Sequence, residues 1–116
     1  MTANKRKYTK SVIESIYSNR CFYCNRKLTD GNRAVDHLCP VSKGGKNTFE
    51  NLVMCCKTCN SIKGNKTIGE TIAQLQNDLN WCHDDVKRRR RLERYIHDFT
   101  HAKDLIITIK NINSKT

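Results

Sequence analysis

The sequence predicts a small α+β fold held together by a metal staple, and three observations carry that expectation. Two Cys-x-x-Cys pairs, Cys21/Cys24 and Cys56/Cys59, stand far apart in the chain with the spacing of two halves of one metal site. Between them, two short segments that read as strands flank a glycine-containing loop. Before and after them, apolar residues recur at helical intervals. The 116 residues suit a single domain over 1–116, and with 37% hydrophobic residues its modest core gains from an added staple.

The elements follow in order. Ser11 and Glu14 form a capping box, and Val12, Ile13, Ile16 and Tyr17 then share one helical face, so a short helix is expected to end near Asn19. The Cys21–Cys24 knuckle comes next, followed by Thr29-Asp30-Gly31-Asn32, whose Asp-Gly step favours a tight reversal. Arg33 to Leu38 reads as a strand that must leave its sheet at Cys39-Pro40, because proline cannot donate to a ladder. Ser42 to Asn47 is a basic glycine loop, and Asn51 to Met54 a second strand leading into Cys55-Cys56. From Cys59 a helical turn puts Asn60 and Lys63 on one face, and Gly64 ends or bends it.

Thr67 and Glu70 make another capping box ahead of the stripe Ile68, Ile72, Leu75, Leu79. A further helix fits Leu92, Tyr95, Ile96, Phe99 and Ala102. Leu105 to Ile109 is β-branched enough for a strand, yet it also continues the helical spacing, and the sequence leaves both open.

The four paired cysteines match tetrahedral zinc, and a full set of four thiolates leaves no open coordination position, which makes that zinc structural. Cys39, Cys55 and Cys82 match no paired spacing and read as small buried apolar groups, although Cys55 adjoins a knuckle and is a competing ligand.

Lys and Arg outnumber Asp and Glu 22 to 11, a formal charge of +11, as expected for a partner of polyanions such as nucleic acid. A merely soluble basic surface or one directed at anionic lipid is the alternative that charge alone leaves standing. No stretch approaches the roughly 18 apolar residues of a membrane span, and the basic start is followed by no apolar signal segment. The expectation is an intracellular, cytoplasmic protein with reduced thiols.

The 31 residues between Cys24 and Cys56 exceed a simple zinc-ribbon spacing of roughly 15 to 20, so the insert needs its own explanation. Ala34-Val-Asp-His-Leu-Cys-Pro40, Lys43-Gly-Gly-Lys-Asn47, Glu50-Asn-Leu52 and Cys56-Lys-Thr-Cys-Asn-Ser-Ile-Lys63 together resemble the HNH (His-Asn-His) endonuclease motif with its zinc knuckles. The motif core covers about 21–64, and the helical C-terminal extension at about 67–116 carries no such resemblance.

The resemblance implies a ββα-metal fold in which Asp36 and Asn60 hold one divalent ion against the scissile phosphate. It implies also that His37 is the general base and that Asn51 fixes the loop orienting it. It further implies cleavage to 5′-phosphate and 3′-hydroxyl ends. The third motif position is Asn60 rather than histidine, a weaker ligand than a carboxylate.

The residue types make independent chemical sense. Mg²⁺ or Mn²⁺ takes oxygen ligands from few protein groups, and a neutral imidazole accepts a proton near neutral pH. Isolated, an Asp-His pair is more often a surface pair, and asparagines more often cap or turn the backbone. Adjacent strand residues point to opposite faces, so Asp36 and His37 can meet one phosphate only where the strand ends or twists.

Two functions follow: a DNA endonuclease that nicks or cuts both strands, or a non-catalytic zinc-stapled nucleic-acid binding module. In either, Lys43, Lys46, Lys63, Lys87, Arg88, Arg89, Arg90, Arg91 and Arg94 are the candidate phosphate contacts, a solvated face being the alternative for the run 87–91. Whether one strand or both are cut depends on the oligomeric state.

Overall fold

Asn25 adopts a left-handed φ of 63°, a conformation that asparagine tolerates, and so closes the first knuckle. The amide of Asn25 donates to Cys21 O at 2.9 Å, and Arg20 bridges to Lys27 across the turn. The computed structural model describes residues 19–114. The helix expected from Ser11 falls on residues outside the described ones, and Asn19, where they begin, lies in a turn.

Strand β1, Arg33–His37, pairs antiparallel with β2, Leu52–Cys56, in a register that sets Asp36 opposite Val53 and His37 opposite Leu52. β1 stops one residue before the expected end, and Pro40 then opens a 3-10 turn at Val41–Lys43. β2 runs on through Cys56, so the second knuckle begins on the sheet. Helix α1, Lys57–Lys63, follows at once and is capped by the Cys56 sulfur, which accepts the Cys59 amide. Strand, strand and helix thus form a ββα unit.

Gly64, at φ 53°, ends α1, and its amide returns to Asn60 O at 2.8 Å. Helix α2, Ile68–Asn80, begins with both halves of the Thr67/Glu70 capping box in place. Helix α3, Val86–Ser114, packs along α2. It absorbs Leu105 to Ile109, which settles the open choice for helix. The two-stranded sheet adds no strand there, whereas helix continues Phe99 and Ala102 into half-buried Ile106 at i, i+3, i+7 spacing.

The core joins the ββα unit to α2 and α3 through buried Leu28, Val53, Leu75, Leu92, Phe99 and Ala102. On β1, Asp36 is buried while its neighbour Val35 is exposed, so the strand turns a carboxylate inward. No helix among the described residues is long and apolar enough to cross a membrane.

Candidate active site

The sheet and the first turn of α1 bring the two knuckles together. The sulfurs of Cys21, Cys24, Cys56 and Cys59 all lie within 4.8 Å of one another. Cys24 Sγ and Cys56 Sγ are 3.8 Å apart, and tetrahedral zinc with bonds of about 2.3 Å places its sulfurs about 3.8 Å apart. The donor set therefore fits a closed structural zinc site.

Within each knuckle the second cysteine's amide approaches the first sulfur at 3.4 Å, and interactions from Cys24 and then Cys59 favour thiolate on Cys21. Among the described residues no other cluster of three or more His, Cys, Asp or Glu side chains could hold a metal. Cys55 is fully buried beside the quartet, and burial pushes its thiol up, so it remains a protonated apolar group. Cys82 is likewise buried and turns its thiol to Asp85 O.

The end of β1, the Pro40–Ser42 turn and the middle of α1 enclose an open cleft of about 300 Å³ onto which Asp36, His37 and Asn60 all face. The strand ends at His37, which is how adjacent residues reach one cavity. Asn60 does not cap α1, a task that falls to Cys56, and its carboxamide bonds to no other described residue. The His37 ring bonds through Nε2 to the Asn47 side-chain oxygen.

Asn51 clamps the intervening loop. Its oxygen accepts the Cys39 amide at 2.8 Å, and its amide group donates to Cys39 O and Lys46 O, each at 2.9 Å. Gly45 lies so close that an added Cβ would sit 1.8 Å from Cys39 O, which excludes every side chain there.

Lys63 is not where the sequence placed it. Its side chain is fully buried, with Nζ 3.1 Å from Asp36 Oδ2 and donating to His37 O at 2.7 Å. A charge so deep requires a partner, and Asp36 supplies it, so Lys63 offers no ammonium to a phosphate at the surface. The Tyr23 hydroxyl also donates to Asp36 Oδ2. Burial first, and the Asp36 charge second, hold the Tyr23 hydroxyl well above its usual range, which keeps it a protonated donor.

The other basic residues divide. Lys46, Lys87, Arg88, Arg90, Arg91 and Arg94 are exposed, Arg94 lying over the Tyr95 ring. Lys43 is exposed and 3.6 Å from Glu70. Arg89 is the second correction: its guanidinium turns inward to Cys82 O at 2.7 Å and Leu79 O at 3.4 Å, satisfying carbonyls at the end of α2.

Sequence reasoning missed Tyr23 and the partnership of His37 with Asn47. The available signals were a tyrosine between two ligand cysteines and an asparagine directly after the glycine loop.

Two comparisons bear on these residues. One stretch is 45% identical over 47 residues to a protein of Corynebacterium diphtheriae named CRISPR-associated endonuclease Cas9, covering 40% of this chain. The matched stretch is only 4% of that relative's length. Residues 21–76, which include both knuckles and the whole cleft triad, match the HNH endonuclease family.

Proposed function

We propose that the protein is a metal-dependent DNA endonuclease that hydrolyses phosphodiester bonds in the Asp36–His37–Asn60 cleft. The observation that carries this reading is the meeting of a carboxylate, an imidazole and an uncommitted carboxamide in one open cleft. Asp36 and Asn60 present oxygens suited to Mg²⁺ or Mn²⁺, and when bound that ion supplies charge stabilisation at the reacting phosphate. His37 takes the proton from the attacking water. With Asn47 Oδ1 accepting from Nε2–H, Nδ1 is the nitrogen left to receive it. Asn51 and Gly45 keep the loop closed beneath the imidazole, so the base meets the phosphate without reorganising the chain.

The exposed basic residues of α3 and of the 43–46 loop hold the phosphate backbone on either side of the cut. Residues 1–116 act as one unit in this reading, with the zinc as staple and the helical extension as support. A second reading, a zinc-stapled nucleic-acid binder without catalysis, is favoured by one observation: Lys63 already neutralises Asp36. Incubating the zinc-loaded chain with supercoiled and linear DNA, with Mg²⁺, with Mn²⁺ and with neither, separates the two. Divalent-dependent nicked or linear product supports the nuclease, and DNA retention without any product supports the binder.

A further inference from the structure

Asp36 is held from two sides by buried groups that do not line the cleft. Lys63 approaches Oδ2 at 3.1 Å and Oδ1 at 3.3 Å, while the Tyr23 hydroxyl donates to Oδ2 alone. Tyr23 is itself fixed twice. Its backbone lies inside the Cys21–Cys24 knuckle, and its buried ring packs on Phe99 of α3 with centroids 4.9 Å apart. A carboxylate's terminal torsion is broad, and a lysine bridging both oxygens constrains it little. A hydroxyl on one oxygen, anchored to two rigid elements, does constrain it.

We propose that Tyr23 is a positioning residue for Asp36, turning Oδ2 toward the zinc knuckle and α3 and leaving Oδ1 as the oxygen presented to a divalent ion in the cleft. This rests on the reading that Asp36 is a ligand of that ion. It gives the C-terminal helix a role at the site: Phe99 supports Tyr23, and Tyr23 orients the carboxylate. It also ties the staple to the cleft, because unfolding the first knuckle removes the hydroxyl from Asp36.

The test is Mn²⁺ binding to the zinc-loaded full chain, followed through the spectroscopic signal of free Mn²⁺, for wild type, Tyr23→Phe and Asp36→Asn. Tyr23→Phe keeps the ring on Phe99 and removes only the hydroxyl. It is expected to retain its zinc and its melting transition while weakening Mn²⁺ roughly tenfold or more, within the 10- to 100-fold span typical of groups that orient metal ligands. Cleavage should then show a raised metal requirement with a smaller change in the rate at saturating metal. If Asp36→Asn loses Mn²⁺ but Tyr23→Phe binds it as wild type does, Tyr23 is only a core residue and the proposal falls while the ligand reading stands. If Asp36→Asn binds Mn²⁺ unchanged, the ligand reading falls and takes the proposal with it. Should Tyr23→Phe fail to fold, Phe99→Leu carries the test, with a loss of about threefold expected and an unchanged affinity overturning the proposal.

Discussion

The Lys63 ammonium lies 3.1 Å from the Asp36 carboxylate, across 27 residues of sequence, with the lysine side chain wholly shut off from solvent. The pair joins the end of α1 to the end of β1, so the cation that neutralises the site carboxylate also fastens the two elements framing the cleft. Removing the lysine strands a buried negative charge, and breaking such a pair on one side costs roughly 3–5 kcal/mol. Lys63→Met should therefore lower the denaturant midpoint sharply. A divalent ion that binds Asp36 in the folded state should restore part of that loss by linkage. Unfolding curves with and without millimolar Mg²⁺ check this, the expected outcome being a larger Mg²⁺-dependent shift in the variant than in wild type.

The cysteine quartet predicts one zinc per chain. Ligand thiols must lose their protons to bind, so affinity falls as the pH falls, and acid or a strong chelator should release metal and unfold the ββα unit together. Cys24→Ser and Cys59→Ser should each prevent folding, whereas Cys55→Ala, which removes no ligand, should keep full zinc content at some cost in packing. Elemental analysis alongside circular dichroism reads both outcomes.

The parts that the sequence made legible are those set by local chemistry. Cys-x-x-Cys spacing survives any tertiary arrangement, the Thr67/Glu70 box satisfies amides within its own turn, and Pro40 forces β1 to end nearby. The parts that were not legible depend on partners far away in sequence. Lys63 beside Asn60 reads as a surface cation until Asp36 arrives beneath it, and the sequence assigns Tyr23 no role before its hydroxyl finds the same carboxylate. Within the run Lys87 to Arg91, Arg89 departs from its neighbours for a geometric reason. Successive helical residues turn about 100° each, so five in a row cannot share one face, and Arg89 is the member that meets α2.

That division of the run yields opposite expectations for neighbouring arginines. Replacing Arg88, Arg90 and Arg91 should flatten the dependence of log DNA affinity on log salt by roughly two to three, at about 0.9 per phosphate released, with little change in stability. Arg89→Ala should leave the slope nearly intact and lower stability by roughly 1–3 kcal/mol, because carbonyls of Leu79 and Cys82 lose a charged donor. Binding titrations at several salt concentrations, paired with melting curves, separate the two classes. An unchanged slope in the triple variant would mean that the exposed arginines face away from the DNA.

The cleft residues should fail in different ways when altered. His37→Ala removes the proton acceptor but neither the carboxylate nor the carboxamide, so the variant should fold, bind Mn²⁺ and bind DNA. Its cleavage rate should fall roughly 10²- to 10⁴-fold, the span expected for loss of a positioned general base. Asp36→Asn should instead weaken the divalent ion, and raised metal should recover part of the rate. It also leaves Lys63 without its counter-charge, so a lower melting temperature accompanies the metal defect. Asn60→Asp keeps an oxygen in place, adds charge and breaks no hydrogen bond among the described residues. Tighter metal binding is expected from it even where turnover slows. Single-turnover cleavage measured across a metal titration distinguishes these patterns: a lowered plateau for His37→Ala, a shifted midpoint for Asp36→Asn, and a shift in the opposite sense for Asn60→Asp. Wild-type cleavage by His37→Ala, in a preparation shown to lack contaminating nuclease, would remove the imidazole from the chemistry and return the cleft to the binding-module reading.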